Sequence, residues 1–179
     1  MIQLVANFLF FQVTWLALVA GAAKDMIWPG ALLCMMFLTW EFYHASNRRG
    51  LALMLLCGLA GSIIVDGSYV LLGIAEYAMP LGPIVPLWIM GLWIIFSLTI
   101  PQSMSWMRKR PVVGALMAGL AAPLSYLAGH KLDAISFPIG LSNALLITAL
   151  TWIPAIYLMI VISMKTLPIT NAEAQKKPT

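Results

Sequence analysis

The stretch LALMLLCGLAGSIIVDGSYVLLGI, from Leu51 to Ile74, decides the fold of this chain. A helix that crosses a bilayer needs about 20 mostly apolar residues, and this stretch is long enough. Its only acidic or basic residue is Asp66, and a charge at the centre of a membrane helix costs about 2.5–3.5 kcal/mol. The leucines, isoleucines and valines around it offset that cost at roughly 0.3–0.6 kcal/mol each, so we expect the helix to insert. Asp66 should then point into the protein rather than towards lipid, which makes it the first candidate for a functional residue.

The composition of the whole chain agrees with a membrane protein. Of its 179 residues, 62% are hydrophobic and only 9% are charged, and the mean hydropathy is +0.95. A soluble domain of this size cannot bury so much apolar surface, so the lipid bilayer is the expected surroundings. No basic stretch is long enough to indicate nucleic-acid binding. Cys34 and Cys57 should lie at different depths in the membrane, and we expect two free thiols rather than a disulfide.

Six apolar runs predict an all-α membrane bundle with six spanning helices in one domain, residues 1–165. The helices are expected at about 3–23, 27–45, 51–74, 87–106, 111–129 and 139–164. Residues 166–179 are predicted to form a polar cytoplasmic tail. The first run ends in small residues that resemble a signal-peptide cleavage site. Because no Lys or Arg precedes it, we expect this helix to be retained.

The basic residues fall unevenly on the two faces of such a bundle. One face holds only Lys24 and Lys131. The other face holds Arg48, Arg49, Arg108, Lys109, Arg110, Lys165, Lys176 and Lys177. The positive-inside rule therefore predicts that both termini are cytoplasmic. Neither the oligomeric state nor a protein partner follows from the sequence.

One group of polar residues is expected in the outer half of the membrane. Asp66 and Tyr126 each lie about fifteen residues along their helices, or ~22 Å deep at ~1.5 Å per residue. Ser125 neighbours Tyr126, and Asn143 falls close to the same level. These four residues could line a polar pocket that binds a ligand or handles a proton. Alternatively, Asp66 bonds Tyr126 or Ser125 and only fixes the helix packing.

A second polar layer is expected at the cytoplasmic end of the bundle. Glu41 and His44 have the i, i+3 spacing that places both on one helix face. The same spacing supplies metal ligands in di-iron bundles, but those sites need two such motifs and further carboxylates. We therefore expect no metal, and expect Glu41 to pair with His44, with Arg48 or with the basic run 108–110. The further members of this layer are Asn7, Gln102 and Ser103.

Two faces made of small residues predict a close contact between helices. One face, on the third helix, carries Gly58, Gly61 and Ser62, and the other, on the fifth, includes Gly114 and Gly119. Small residues let helix backbones approach closely in membranes. We therefore expect the third helix to pack on the fifth.

Several short motifs follow one another in a distinctive order along the chain. They are Asn7 with Phe11-Gln12 and Trp15, Gly21-Ala22-Ala23, Trp28-Pro29-Gly30, Asp66-Gly67, Pro86-Leu87-Trp88, Leu92-Trp93 with Phe96, Ser103 with Trp106, Pro123-Leu124-Ser125-Tyr126 and Ala128-Gly129. Their order resembles a bacterial inner-membrane family known as domain of unknown function 2878. The resemblance extends to about Phe137 and implies an integral protein of the bacterial inner membrane with a role in the lipid homeostasis of the cell envelope.

The sequence leaves the biochemical activity open. Familiar catalytic signatures and phosphate-binding loops are missing, so we expect no cofactor and favour a protein that is not an enzyme. The leading hypothesis is a membrane protein that binds or moves a small or lipid-like molecule. One alternative is an enzyme, or an enzyme subunit, that acts on lipids with Asp66 and Tyr126 as acid or base. Another is a non-catalytic assembly partner.

Overall fold

Long apolar helices form most of the chain in the computed structural model, which describes residues 2–167. The predicted polar tail lies almost entirely outside the described residues. The first half contains α1 (Ile2–Ala22), α2 (Trp28–His44), α3 (Arg48–Gly61), a π-helical turn (Ser62–Asp66), α4 (Gly67–Leu71) and β1 (Glu76–Tyr77). The second half contains α5 (Leu87–Thr99), α6 (Trp106–Lys109), α7 (Pro111–Lys131), β2 (Ile135–Ser136) and α8 (Leu141–Thr166).

Within residues 2–167 of this all-α protein, four helical stretches are long and apolar enough to cross a membrane. They are Gln3–Ala22, Arg48–Leu71, Pro111–Lys131 and Leu141–Thr166. The stretch Arg48–Leu71 joins α3, the π-helical turn and α4 without a break. The other two predicted spans correspond to shorter helices, since α2 has 17 residues and α5 has 13.

Proline and asparagine set the beginnings of several helices. Pro29 and Pro111 lie in the first turns of α2 and α7, where a missing N–H breaks no hydrogen bond. Asn47 caps α3, because its side-chain oxygen accepts a hydrogen bond from the Gly50 N–H at 2.9 Å. The amide nitrogen of the same side chain donates to the Thr166 carbonyl at 3.0 Å. Asn47 therefore ties the beginning of α3 to the end of α8.

The fourth predicted span is shorter than expected. The helix was predicted to reach residue 106, but α5 ends at Thr99 and residues 100–105 form turns. Pro101 explains the early end, because it has no N–H to continue the helical hydrogen-bond ladder. At ~1.5 Å per residue, 13 residues extend only about 20 Å, which is less than the ~30 Å thickness of the hydrocarbon core.

The predicted contact between the two small-residue faces is wrong. Gly58 of α3 lies against α5, where an added Cβ would meet the Trp93 carbonyl oxygen at 2.6 Å. Gly119 of α7 lies against α8, where an added Cβ would meet Cγ1 of Ile153 at 2.4 Å. Small residues reveal that a backbone approaches closely, but they do not reveal which helix approaches. The principal helix pairs are α3 with α5 and α7 with α8.

A short antiparallel ribbon closes one end of the bundle, called here the ribbon end. Glu76 of β1 pairs with Ser136 of β2, and Tyr77 pairs with Ile135. The ribbon joins the loop after α4 to the loop after α7. Trp88 of α5 donates its indole N–H to the Ala78 carbonyl, next to β1, at 2.9 Å, which holds the ribbon against α5. The opposite end, where Asn47 meets Thr166, is called the basic end. Both cysteines are free, as predicted.

Two helical glycines allow a test of the contact between α3 and α5. Gly58→Ala should destabilise the protein by about 1–3 kcal/mol, because the new methyl group clashes with α5. Gly67→Ala is the matched control, since its Cβ would find only the Ser62 carbonyl oxygen at 3.9 Å. Melting temperatures in detergent should fall for the first variant and stay equal or rise for the second. An equal response of the two variants would contradict the close approach at Gly58.

Candidate functional site

The π-helical turn places Asp66 in the centre of the bundle. The Gly67 N–H bonds the Ser62 carbonyl five residues earlier, so this turn contains one residue more than an α-helical turn. The extra residue changes the direction of the side chains that follow it along the helix. Asp66, the last residue of the turn, is completely buried. Insertions of this kind occur often at functional sites.

Three side chains from three different segments donate hydrogen bonds to the Asp66 carboxyl group. The hydroxyls of Tyr77 in β1 and Tyr126 in α7 both donate to Oδ1 at 2.5 Å. The indole N–H of Trp93 in α5 donates to Oδ2, also at 2.5 Å. All three are short hydrogen bonds. Asp66 therefore connects its own helix to the ribbon, to α5 and to α7.

The ribbon residue Tyr77 is a permanent donor in this cluster. Burial raises the pKa of Tyr77 well above its usual value, and the neighbouring Asp66 carboxyl raises it further. The phenol therefore keeps its proton at physiological pH. Since the Trp93 indole can only donate, Asp66 must act as an acceptor on both carboxyl oxygens.

A cavity of about 500 Å³ lies beside this cluster. Trp93 and Tyr126 point their polar atoms at Asp66, and both residues line the cavity. Asp66 itself lies behind them and does not line it. The carboxyl group therefore holds the wall of the cavity in position but makes no contact with its interior.

The wall of the cavity is mostly aromatic. Five of the seven tryptophans of the chain line it, namely Trp15, Trp88, Trp93, Trp106 and Trp152. The rings of Trp93 and Trp152 lie 4.6 Å apart between centroids, and Trp152 also meets Phe96 at 5.7 Å and Tyr126 at 6.1 Å. Such contacts make a rigid wall, because each ring is held by its neighbours. An apolar lining with a few polar groups is typical of small-molecule sites.

The cavity opens between α1 and α7 at the surface of the bundle. Helix α1 packs on α2 and α5, whereas α7 packs on α8, which leaves a gap between α1 and α7. Phe8 and Gln12 of α1, with Met117 and Ser125 of α7, line the cavity and are exposed. The opening therefore lies on the side of the helices, along their length.

The cavity differs in character between its two ends. At the ribbon end its lining is buried and apolar, with Val19, Trp88 and Ile135. At the basic end its lining includes Ser103 and the exposed indole of Trp106. The cavity is therefore closed at the ribbon end and more polar and open at the basic end.

A short chain of hydrogen bonds supports the basic end of the cavity. Asn7 of α1 donates to Oε1 of the buried Glu41 at 2.7 Å. The side-chain oxygen of Asn7 accepts a hydrogen bond from the Ser103 hydroxyl at 2.5 Å and a longer one from the Ser103 N–H at 3.4 Å. Asn7 thus fixes the turns that follow α5. Irregular backbone is tolerated at membrane depth only where such partners satisfy it.

The basic residue Arg108 has a structural position. It is only 6% exposed, and its guanidinium donates to the carbonyl oxygens of Ser163, at 3.3 Å, and Leu167. A cation at the carboxyl end of a helix is favourable because of the helix dipole. Arg108 therefore caps α8. A pair between Glu41 and the basic run 108–110 was one of the predicted arrangements, but Arg108 does not form it.

The structure assembles the predicted outer set only in part. It joins Asp66 to Tyr126, and it places Ser125 at the opening of the cavity rather than against Asp66. Asn143 is exposed and donates to the carbonyl of Ile139, just before the beginning of α8, at 3.1 Å. It lies away from Asp66, because equal depth in a membrane does not imply that two helix faces meet.

The predicted inner set is also only partly assembled. Glu41 bonds Asn7, whereas His44 is exposed and its Nδ1 contacts the Trp40 carbonyl at 2.9 Å. Glu41 and His44 thus have different hydrogen-bond partners. Gln102 is half-buried in the turn beside Ser103. Within residues 2–167, no three His, Cys, Asp or Glu residues are grouped in a way that could hold a metal ion.

Sequence reasoning missed two of the three donors to Asp66. The sequence analysis assigns Tyr77 no role beside Asp66, and it names Trp93 only as part of a motif. The composition contained one available signal. A carboxyl group buried in lipid requires donors, and the seven tryptophans and five tyrosines are donors whose rings also suit an apolar interior.

The fold and the site together define a class of protein. The part of the chain that the structure describes is all-α, with four helices suited to crossing a membrane and an aromatic cavity beside a buried carboxyl cluster. It belongs to the family described as "Protein of unknown function (DUF2878)", whose model matches residues 4–158. The family resemblance inferred from the sequence is thereby confirmed. Comparison with curated proteins found no match, and comparison with solved structures found none.

The role of Asp66 can be tested by replacing the carboxylate with an amide. Asp66→Asn should destabilise the protein by about 2 kcal/mol, because an amide has one acceptor oxygen and its NH₂ group cannot satisfy the Trp93 donor. Asp66→Leu should destabilise it more, since all three donors then lose their partner. Unfolding in detergent measures both changes, and Asn143→Leu serves as the control with little expected effect. Unchanged stability of both Asp66 variants would contradict a structural role for the carboxyl cluster.

Proposed function

We propose that this protein is a multi-pass membrane protein that binds an elongated lipid-like molecule in the aromatic cavity. The observation that carries the proposal is the opening of an apolar cavity of about 500 Å³ between α1 and α7. In a membrane that side faces lipid, so a ligand would enter from the bilayer rather than from water. The family relationship is compatible with a membrane protein and indicates no specific activity.

The dimensions of the cavity support an acyl chain as its occupant. Along α7 the lining runs from Met117 to Gly129, which is about 18 Å at ~1.5 Å per residue. One leaflet of hydrocarbon is about 15 Å thick, half of the ~30 Å core. A lipid tail lying along α7 would therefore exchange contacts with other tails for contacts with aromatic rings.

The position of Asp66 favours binding over catalysis. An acid or base must reach the reacting atoms, either directly or through one water molecule. Asp66 is completely buried, and the Tyr126 hydroxyl is directed at Asp66 rather than into the cavity. For the same reason we propose that Asp66, Tyr126 and Trp93 shape the binding site rather than act as acid or base.

We also propose six membrane crossings with both termini in the cytoplasm of a bacterial cell. The supporting observation is the separation of charges in the folded chain. Arg48, Arg108 and Lys165 lie in helix turns at the basic end, whereas Lys24 and Lys131 lie at the ends of helices near the ribbon. The positive-inside rule then assigns the basic end to the cytoplasm. The shorter α5 would cross as an internal member of the bundle, and α2 would cross at its periphery, packed on α1 and α5.

A substitution that fills the cavity tests the proposed binding. Ala121 lines the cavity, and the adjacent Leu120 is 74% exposed and does not. Ala121→Trp should weaken the binding of radiolabelled hexadecanol to the purified protein by about tenfold or more, because the new side chain occupies the space of the chain.

Leu120→Trp is the matched control, since it adds the same side chain one residue away on the outer surface of α7. It should bind hexadecanol as the unsubstituted protein does. Absence of saturable hexadecanol binding to the unsubstituted protein, or an equal loss in both variants, would refute the cavity as a binding site.

Thiol labelling tests the proposed topology. With Cys34 and Cys57 replaced by serine, an impermeant reagent added to intact cells should label Glu76→Cys and Lys131→Cys. Arg49→Cys should react only after the membrane is permeabilised. Labelling of Arg49→Cys in intact cells would reverse the proposed orientation, and equal labelling of all three would contradict the six crossings.

A further inference from the structure

We infer that the occupant of the cavity is a membrane lipid with an anionic phosphate head group, which lies beside Arg110 at the basic end. The inference rests on the proposed lipid-binding function and adds the charge and the orientation of the ligand. It depends on three observations: the polarity of the two ends of the cavity, the position of Arg110, and the distribution of charge around it.

The polarity of the cavity fixes the direction of the lipid. The ribbon end is buried and lined by apolar side chains such as Val19 and Ile135, which suit the end of a hydrocarbon tail. The basic end carries the Ser103 hydroxyl and the half-exposed ring of Trp106. Tryptophan favours the level of the lipid head groups. The head of a bound lipid would therefore lie near Trp106 and its tail would point to the ribbon.

Arg110 lies one turn from the lining of the cavity at that end. Its backbone N–H donates to the carbonyl of Met107, a residue of the cavity wall, at 3.2 Å. Met117, seven residues further along the chain, lines the cavity from α7. The Arg110 side chain is exposed, whereas the neighbouring Arg108 is buried against the end of α8. The exposed Arg110 is thus available to a head group at this end of the cavity, and Arg108 is already committed to the fold.

The surrounding charges favour an anion at this end. Within the described residues, the only acidic side chain at the basic end is Glu41, which is buried and bonded to Asn7. The ribbon end, in contrast, carries three exposed carboxylates, those of Asp25, Glu76 and Asp133, against the two cations Lys24 and Lys131. Basic residues beside a membrane attract anionic lipids. An anionic head group is therefore favoured at Arg110 and disfavoured at the ribbon.

Competition between two lysophospholipids with the same acyl chain tests the inference. Lysophosphatidylglycerol carries a net negative charge, and lysophosphatidylcholine carries none. Native mass spectrometry of the purified full-length protein in neutral detergent should show a preference for the former of about fivefold. Arg110→Gln should reduce that preference to about one while leaving hexadecanol binding unchanged, since the cavity is intact.

Arg49→Gln is the matched control, because Arg49 is exposed at the same end but lies on α3, which does not line the cavity. It should keep the preference. If hexadecanol binds but the unsubstituted protein prefers neither lysophospholipid, the head-group assignment fails and the cavity stands. A preference that persists in Arg110→Gln, or falls equally in Arg49→Gln, overturns the role of Arg110. If neither hexadecanol nor a lysophospholipid binds, the lipid-binding function itself fails.

Discussion

Three hydrogen bonds to the buried carboxyl group of Asp66 hold the ribbon end of the molecule together. No water reaches this carboxyl group, so protein donors must replace its hydration. The donors come from β1, α5 and α7, which are far apart in the sequence. Every donor must be in place before the burial of Asp66 becomes favourable. The arrangement of these three segments is therefore coupled to one side chain.

The same coupling produces the wall of the cavity. Trp93 and Tyr126 satisfy their polar atoms on Asp66, and the rest of each ring is free to face the interior. Trp152 then stacks on Trp93 and meets Tyr126 edge to face. A rigid aromatic surface results, although the residue that orients it makes no contact with the space it encloses. A polar cluster can thus shape an apolar site without taking part in it.

At the basic end, too, protein groups satisfy buried polar groups, but here those polar groups belong to the backbone rather than to a carboxyl group. Pro101 ends α5 early, and the turns that follow need hydrogen-bond partners that lipid cannot supply. Asn7 supplies one of them by accepting from Ser103, and Glu41 in turn holds Asn7. These polar groups border the cavity where its lining changes from buried and apolar to exposed. The difference between the two ends of the cavity therefore arises from how each end satisfies its polar groups.

The sequence by itself determined the class of protein, the positions of its apolar helices and the importance of Asp66. Hydrophobic length and the cost of a charge in lipid are local properties, and a constant rise per residue put Asp66 and Tyr126 at one depth. The tertiary structure alone decided which helix faces meet. Gly58 approaches Trp93 of α5 rather than α7, and Asn143 points away, because small residues and depth carry no information about direction. Tyr77 and Trp93 reach Asp66 only through the π-helical turn and the ribbon, and the cavity exists only because α1 and α7 pack on different partners.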